Sequence, residues 1–395
     1  MATIICNIAA LQYHRTPPRA RAVSLTRAQI DSIPYPMPQL SCRSNAPGDV
    51  RAICREMFGA LKGVAFPVHV MSVDGYYHGR SPYVVWHRRP ATPYRERDLI
   101  QIADDLYVTT PARTLFDLVE RHSEVALAKV VMELYGLYAI QAATARLSVL
   151  LADMDGEGAF ARDSRRFSAY YGTDGDSLYG TASRGLRDES SPEDWIPCRG
   201  RSGEIGGLWK RPPLLLPDEL ATYLDSVDGL RGSRRLKRAA AMALPGSGSP
   251  LETQVALVMG GATSRGQEGL PPFKLNRRVR LPGGEVVVPD MTWENSAGDA
   301  ARHCCDMDGA AFHGDAYSER EIGRRVNDDS ARRAAFDHAG IGLTSITYAQ
   351  LASLRRWDIV MDTVFRHLGL ERAPMTDRFL RNRDALRAEV LAPGL

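Results

Sequence analysis

The stretch EVVVPDMTWENSAGDAARHCCDMDGAAFH, Glu285 to His313, decides how the chain is read. Val286–Val288 is a β-branched run that predicts a buried strand, and it leads straight into Pro289 and Asp290. A second apolar pair, Cys304 and Cys305, leads into Asp306, Asp308 and Gly309. An ionised carboxylate at the inner end of a strand is costly unless something compensates its charge. Two neighbouring strands ending in acids therefore call for a cation or for paired arginines. Alternation along the second strand places Cys304 and Cys305 on opposite faces and Asp306 and Asp308 on the same one.

Upstream, SPLETQVALVMGG predicts a helix with Ser249 as N-cap, Pro250 in the first helical position and Glu252 completing a capping box. KLNRRVRLPGGEVVVPDMTW predicts two strands about a Pro-Gly-Gly turn. Downstream, SEREIGRRVNDDSARRAAFDHAG predicts a helix with Ser318 and Glu321 as a second capping box and Gly340 as its stop. IGLTSITYAQL predicts a strand, followed by a helix with Trp357, Val360, Met361, Val364, Phe365 and Leu368 on one face. Residues 249–370 thus run helix, hairpin, strand, helix, strand, helix. The strand-helix-strand portion implies a parallel pair.

The rest of the chain frames this unit. With 395 residues, two or three domains are expected, and 44% apolar and 25% charged residues are ordinary for a globular chain. A net charge of +3 announces no nucleic-acid binder by itself, so any basic footprint must be local. The six cysteines form no C-x-x-C pair, and no apolar run reaches membrane-spanning length. The amino-terminal MATIICNIAALQYHR lacks a basic leading region and a small-residue cleavage site, so a cytoplasmic, reducing setting is expected. VAFPVHVMSV, SPYVVWHRR and LIQIADDLYVTT have strand composition, the last as a pair around Asp104 and Asp105. PARTLFDLVERHSEVALAKVVMELYGLY reads as two helices, the first with Thr110 as cap and Pro111 at its start. The expected organisation is an α+β unit over 1–150, a flexible Gly- and Ser-rich linker over 151–213, a helical connector over 214–248, an α/β unit over 249–375 and a tail over 376–395.

Taken together, SPLET, LNRRV, PDMTW, CDMDGAAFH, DDSARRAAFDHAGI and ITYAQL resemble the restriction-endonuclease-like PD-(D/E)XK superfamily, in the branch related to very-short-patch-repair endonucleases. LYVTTPARTLFDLVERH is similar to the segment of AbiEi-type regulators that precedes such domains. The resemblance implies a C-terminal mixed sheet flanked by helices, Mg²⁺ or Mn²⁺ as cofactor and DNA as substrate. That branch usually carries a glutamate, an aromatic residue and Asp-Gly where this chain has Asp306, Met307, Asp308 and Gly309. The acid is one methylene shorter here, and the aromatic is absent.

Carboxylates converging from adjacent strands can hold Mg²⁺, which keeps several waters and takes phosphate directly. Asp290, Asp306 and Asp308 are the candidate ligands. Glu252 would reach the metal or its water shell, although a capping role also accounts for it. His313 suits proton transfer near neutrality, or is a polar residue at the mouth of the site. Arg332 or Arg333 would bind phosphate through forked hydrogen bonds, or pair with Asp329 one turn earlier. A turn at Asp308-Gly309 is the rival reading of the acids.

RGSRRLKRAAAMAL places Arg231, Arg234, Arg235, Lys237 and Arg238 in one helical stretch, with Arg234 and Arg238 on one face. Such a cluster contacts phosphates without reading bases, and Arg277, Arg278 and Arg280 would extend it; a solvated helix face is the rival. Three function classes remain: a metal-dependent endonuclease acting on DNA, a catalytically inactive DNA-binding regulator on the same fold, or an interaction protein whose acids merely cap strands.

Overall fold

A computed structural model describes the chain except residues 1–2, 24–60, 73–83, 88–92, 142–143, 161–194, 200–202, 297, 299 and 309–329. The chain opens with β1 (Thr3–Ile5), α1 (Asn7–His14) and α2 (Pro18–Ala22), then β2 (Val68–Ser72) and β3 (Val84–Trp86). A hairpin follows, β4 (Leu99–Ala103) and β5 (Leu106–Thr109), with Asp105 at φ 55° in its turn. These five strands form one sheet in the order β3-β2-β1-β5-β4. Helix α3 (Pro111–Leu118) begins as its residues dictate: the Thr110 hydroxyl accepts the Arg113 N–H, and Pro111 needs no N–H partner. Helix α4 (Glu124–Tyr135) is capped in the same manner by Ser123.

His14 of α1 donates its Nε2 proton to the Thr109 carbonyl at 2.7 Å, which ties the helix to the sheet. Burial pushes its pKa from 6.5 down to about 4. Between those values the unfolded chain binds a proton that the folded chain refuses, so stability falls as pH drops through that window. His14→Gln can donate the same bond without titrating. Denaturation at pH 7, 6 and 5 is expected to show a shallower acid loss in the variant, by up to about 1.4 kcal/mol per pH unit.

The expected linker is partly structured. The second half of helix α5 (Ala145–Gly156), β7 (Ile196–Arg199) and β8 (Ile205–Lys210) fall within it, and β8 pairs with β6 (Tyr138–Ile140) on one side and β7 on the other. The reason is Trp195 and Trp209, both buried to within about one percent and gathered with Phe160, Leu147 and Leu151. Two aromatic anchors suffice for short strands that are too brief to display a period.

After α6 (Pro217–Ser226) and the basic α7 (Ser233–Ala240) comes α8 (Pro250–Met259), with the Ser249 hydroxyl accepting the Glu252 N–H. Glu252 does not close a capping box. Its carboxylate reaches one residue further back, to the Gly248 N–H. The valine run also departs from its reading: β10 (Val279–Arg280) and β11 (Val286–Val287) form a small separate hairpin, and Val286 is 46% exposed. Asp290 therefore opens the next strand rather than ending this one.

The α/β sheet has the order β14-β13-β12-β9, built from β9 (Lys274–Leu275), β12 (Met291–Glu294), β13 (Ala301–Asp308) and β14 (Gly342–Thr347). Strand β12 is antiparallel to β13 and β9, whereas β13 and β14 are parallel, with helix α9 (330–338) between them in sequence. On one face Cys304 meets Phe336, Val279, Leu281 and Val287. On the other, Cys305, Met291 and Trp293 join the largest apolar cluster with α4, α8 and α11 (Leu354–His367). That cluster runs from Leu11 to Val390, so the amino-terminal and carboxy-terminal parts share a core.

A short helix, α10 (Tyr348–Ala352), with a Thr347–Gln350 capping box, takes the end of the segment read as strand. The expected tail is instead α12 (Asp377–Leu391), whose Phe379, Leu386 and Val390 are buried. Its polar face hid that packing, because arginines fill two of its inward positions.

Candidate active site

The antiparallel register pairs Met291 with Cys305. One step outward on each strand lie Asp290 and Asp306, so the two acids stand opposite each other at the end of β12 and β13. The Met307 N–H donates to Asp290 Oδ2 at 2.5 Å, which fixes that carboxylate against the neighbouring strand.

Glu252 is drawn in by a third segment. Asn276, in the left-handed region at φ 48°, donates its backbone N–H to the Asp290 carbonyl at 3.0 Å and its side-chain amide to Glu252 Oε2 at 2.5 Å. The same Glu252 oxygen accepts the Gly248 N–H at 2.6 Å. A side chain at Gly248 would press its Cβ within 3.2 Å of Glu252 Oε1, so the close approach of that loop depends on the glycine. The Gly248 carbonyl accepts from Lys210 Nζ at the end of β8. One loop residue thus links a lysine and a glutamate beside the two aspartates.

The electrostatics follow. Asp290 holds its proton well above the ordinary carboxylate range, first through burial and then through the Glu252 charge, with Asp306 adding to it. The Met307 N–H and the Lys210 ammonium act in the opposite direction but do not cancel the effect. Asp306 has a direct partner: Arg332 Nη2 lies 3.0 Å from its Oδ1. Arg332 thus crosses from its helix to the sheet; Asp329, the expected helical partner of Arg332 or Arg333, lies outside the described residues. Arg333 instead reaches Ser345 Oγ at 3.0 Å on the exposed edge.

No family model, curated protein or solved structure matches the chain. The site is therefore interpreted on its own geometry.

Among the expected site residues, Glu252 and Asp306 both act on the Asp290 charge. Asp308 ends β13 opposite Thr347, but its side chain lies outside the described residues, as does all of His313. Among the described residues no three His, Cys, Asp or Glu side chains form a metal-holding group. Two residues escaped the sequence reading, Lys210 and Asn276. Nothing in the spacing of GLWKRPP or KLNRR marks them, since their role comes from contacts 38 and 24 positions away.

The basic helix is largely engaged. Arg231 pairs with Glu120, Lys237 with Asp228 and Arg238 with Glu124, while Arg235 donates to the Val119 carbonyl. Arg234 is exposed on the same face as Arg238. Pairs this exposed contribute little, so phosphates can exchange for their acids. On the hairpin side, Arg278 is half-buried and its Nε has no partner among the described residues. Among the described residues no helix is long and apolar enough to cross a membrane.

Proposed function

We propose that the chain is a divalent-cation-dependent phosphodiesterase acting on DNA, with Asp290 and Asp306 as its metal-holding pair. The observation that carries this reading is the β12–β13 register, which carried one step past Met291–Cys305 sets Asp290 against Asp306, with Glu252 and Asp306 both disfavouring the Asp290 charge. Asp290, whose charged form is disfavoured by burial, Glu252 and Asp306, would gain from a cation. The donor set fits Mg²⁺ or Mn²⁺, since Mg²⁺ is commonly held by one or two carboxylates and fills its remaining positions with water and phosphate. Bound there, the cation would neutralise charge on phosphate oxygens and lower the pKa of a coordinated water.

The protein's own groups have separable tasks. Asp290, pinned through one oxygen by the Met307 N–H, would hold the cation together with Asp306. Glu252 is held by two donors and contributes fixed negative charge. Lys210 brings a positive charge from a different sheet, placed to offset phosphate charge. Arg333, on the exposed edge, is available to phosphate oxygens. Arg231, Arg234, Arg235, Arg238 and Arg278 would follow the DNA backbone, which makes binding salt-dependent without reading bases. The resemblance to the PD-(D/E)XK superfamily supports the same reading, as does the order helix, strands, helix, strand over 250–347.

A second reading is favoured by one contact. The Arg332–Asp306 ion pair compensates one of the acids without metal. It suits a DNA-binding regulator that keeps the fold and has lost the chemistry. Titration calorimetry with Mn²⁺, together with incubation of supercoiled plasmid in Mg²⁺ or Mn²⁺, separates the two. Uptake with nicking is the expected result. DNA binding without uptake or nicking would establish the regulator.

A further inference from the structure

We infer that a cavity between α4, β8, α8 and α12 binds a small, largely apolar molecule that carries one hydrogen-bond donor. The cavity holds about 430 Å³, within the size range of small-molecule sites. Glu252, Asp290 and Asp306 take no part in its wall, so its occupancy is independent of any cation at the acids.

The wall favours hydrocarbon. Val130, Ile140, Leu208 and Leu391 face the space, joined by Tyr138 and Tyr348. The polar side chains among them are committed to the protein itself. Tyr138 Oη and Ser247 Oγ both meet Thr253 Oγ1, at 2.9 and 2.8 Å. Lys129 Nζ donates to the Glu389, Val390 and Ala392 carbonyls, at 3.4, 3.2 and 2.6 Å. Arg15 grips Glu133 through Nε and Nη2 and donates from Nη1 to the Leu395 carbonyl. A charged occupant would have to break bonds of this kind to be solvated, whereas an apolar one leaves them in place.

One acceptor is the exception. Gln254 is only 9% exposed and belongs to the cavity wall. Its Nε2 donates to the Val390 carbonyl at 3.2 Å, and its Oε1 is buried with no hydrogen-bond partner among the described residues. The amide cannot turn over to relieve this, because Oε1 would then confront the Val390 carbonyl. A buried oxygen in that state destabilises the fold until a donor reaches it. Water can donate, but it leaves the aliphatic and aromatic wall wet. An aromatic or aliphatic body bearing one N–H or O–H satisfies both the wall and the oxygen.

Indole and 1-methylindole test this, since methylation removes the one donor and keeps the ring. Each is titrated into the full chain at neutral pH and followed by ligand-observed NMR. The wild type is expected to bind indole with a Kd of about 1 mM or tighter, and about fivefold more tightly than 1-methylindole, the factor one hydrogen bond supplies. Gln254→Met keeps the length of the side chain and removes the acceptor; the Val390 carbonyl retains its bond from Lys129. That variant is expected to bind the two compounds equally. Leu391→Trp fills the cavity and is expected to bind neither, with thermal melting showing that both variants fold. Failure of the wild type to bind indole, or equal binding of the two compounds, would overturn the site and leave a water-filled space. A preference for indole that survives Gln254→Met would overturn it as well, by placing the binding elsewhere.

Discussion

Replacing Asp290 with asparagine is expected to abolish Mn²⁺ uptake and plasmid nicking while making the metal-free protein more stable. Few substitutions at a functional site have that combination. An asparagine oxygen still accepts the Met307 N–H, so the strand contact survives. What disappears is a carboxylate that burial, Glu252 and Asp306 all press toward its protonated form. Because the folded pKa lies above the unfolded one, ionisation of the unfolded chain costs the native state stability as pH rises above the ordinary value of 3.8. The gain from Asp290→Asn should therefore grow from about pH 4 toward neutrality. A gain of roughly 1 kcal/mol at pH 7 is expected, in line with removal of a poorly compensated charge. Saturating Mn²⁺ should reverse the ranking, because only the wild type gains stability by binding. Cleavage should drop at least about a hundredfold. Parallel melting curves with EDTA and with Mn²⁺ provide the check. A variant that is less stable in EDTA would mean that Asp290 is a structural acceptor and that the acids do not strain one another.

The parts of this arrangement that could be read from the sequence are those fixed by local chemistry. Thr110-Pro111 and Ser249-Pro250 begin helices because a hydroxyl and a missing N–H solve the same problem, the unsatisfied donors of a first turn. Cys304 and Cys305 part to opposite faces because a strand alternates. Trp357 through Leu368 form a buried stripe because the period is helical. The α/β class follows from the order of these segments.

The misreadings share a cause as well. The composition of Val286–Val288 says strand, yet composition cannot say whether a strand joins the sheet or folds into a hairpin on its face. The Pro-Gly-Gly turn at 282–284 closes the chain back on β10, and the exposed Val286 is the consequence. Trp195 and Trp209 anchor strands in a segment whose bulk is glycine, serine and charge, so an average over the segment conceals them. Lys210 and Asn276 enter the site through contacts made by the finished fold. The site was legible in its acids, which are close in sequence, and illegible in their neighbours, which are not.

The tail that proved to be a helix leads to the largest expected loss of stability. Glu268 is fully buried between α11 and α12, with one carboxylate oxygen accepting from Trp357 Nε1 at 2.9 Å and lying 3.0 Å from Arg383 Nε in an ion pair. Its other oxygen receives Arg372 Nη2 at 2.7 Å. Asp358 closes the network, 2.5 Å from Arg383 and 2.8 Å from Arg372. Two guanidiniums therefore share Glu268 and Asp358, Arg372 also reaches the exposed Asp362 at 3.2 Å, and only Glu268 is fully out of water. Glu268→Ala leaves the buried Arg383 charge with the half-exposed Asp358 alone and strips the indole of its acceptor. Removing one partner from a buried charge network costs about 3–5 kcal/mol, because the remaining charge stays desolvated. Glu268→Gln keeps an acceptor for Trp357 and should cost less. Replacing Glu268, Arg372 and Arg383 together with methionine should cost less than the alanine substitution alone, since no charge is then left unpaired except at the surface. Urea denaturation followed by tryptophan fluorescence measures all three. If Glu268→Ala lost less than about 1 kcal/mol, Asp358 would be the real counter-ion and α12 would be held by Phe379, Leu386 and Val390.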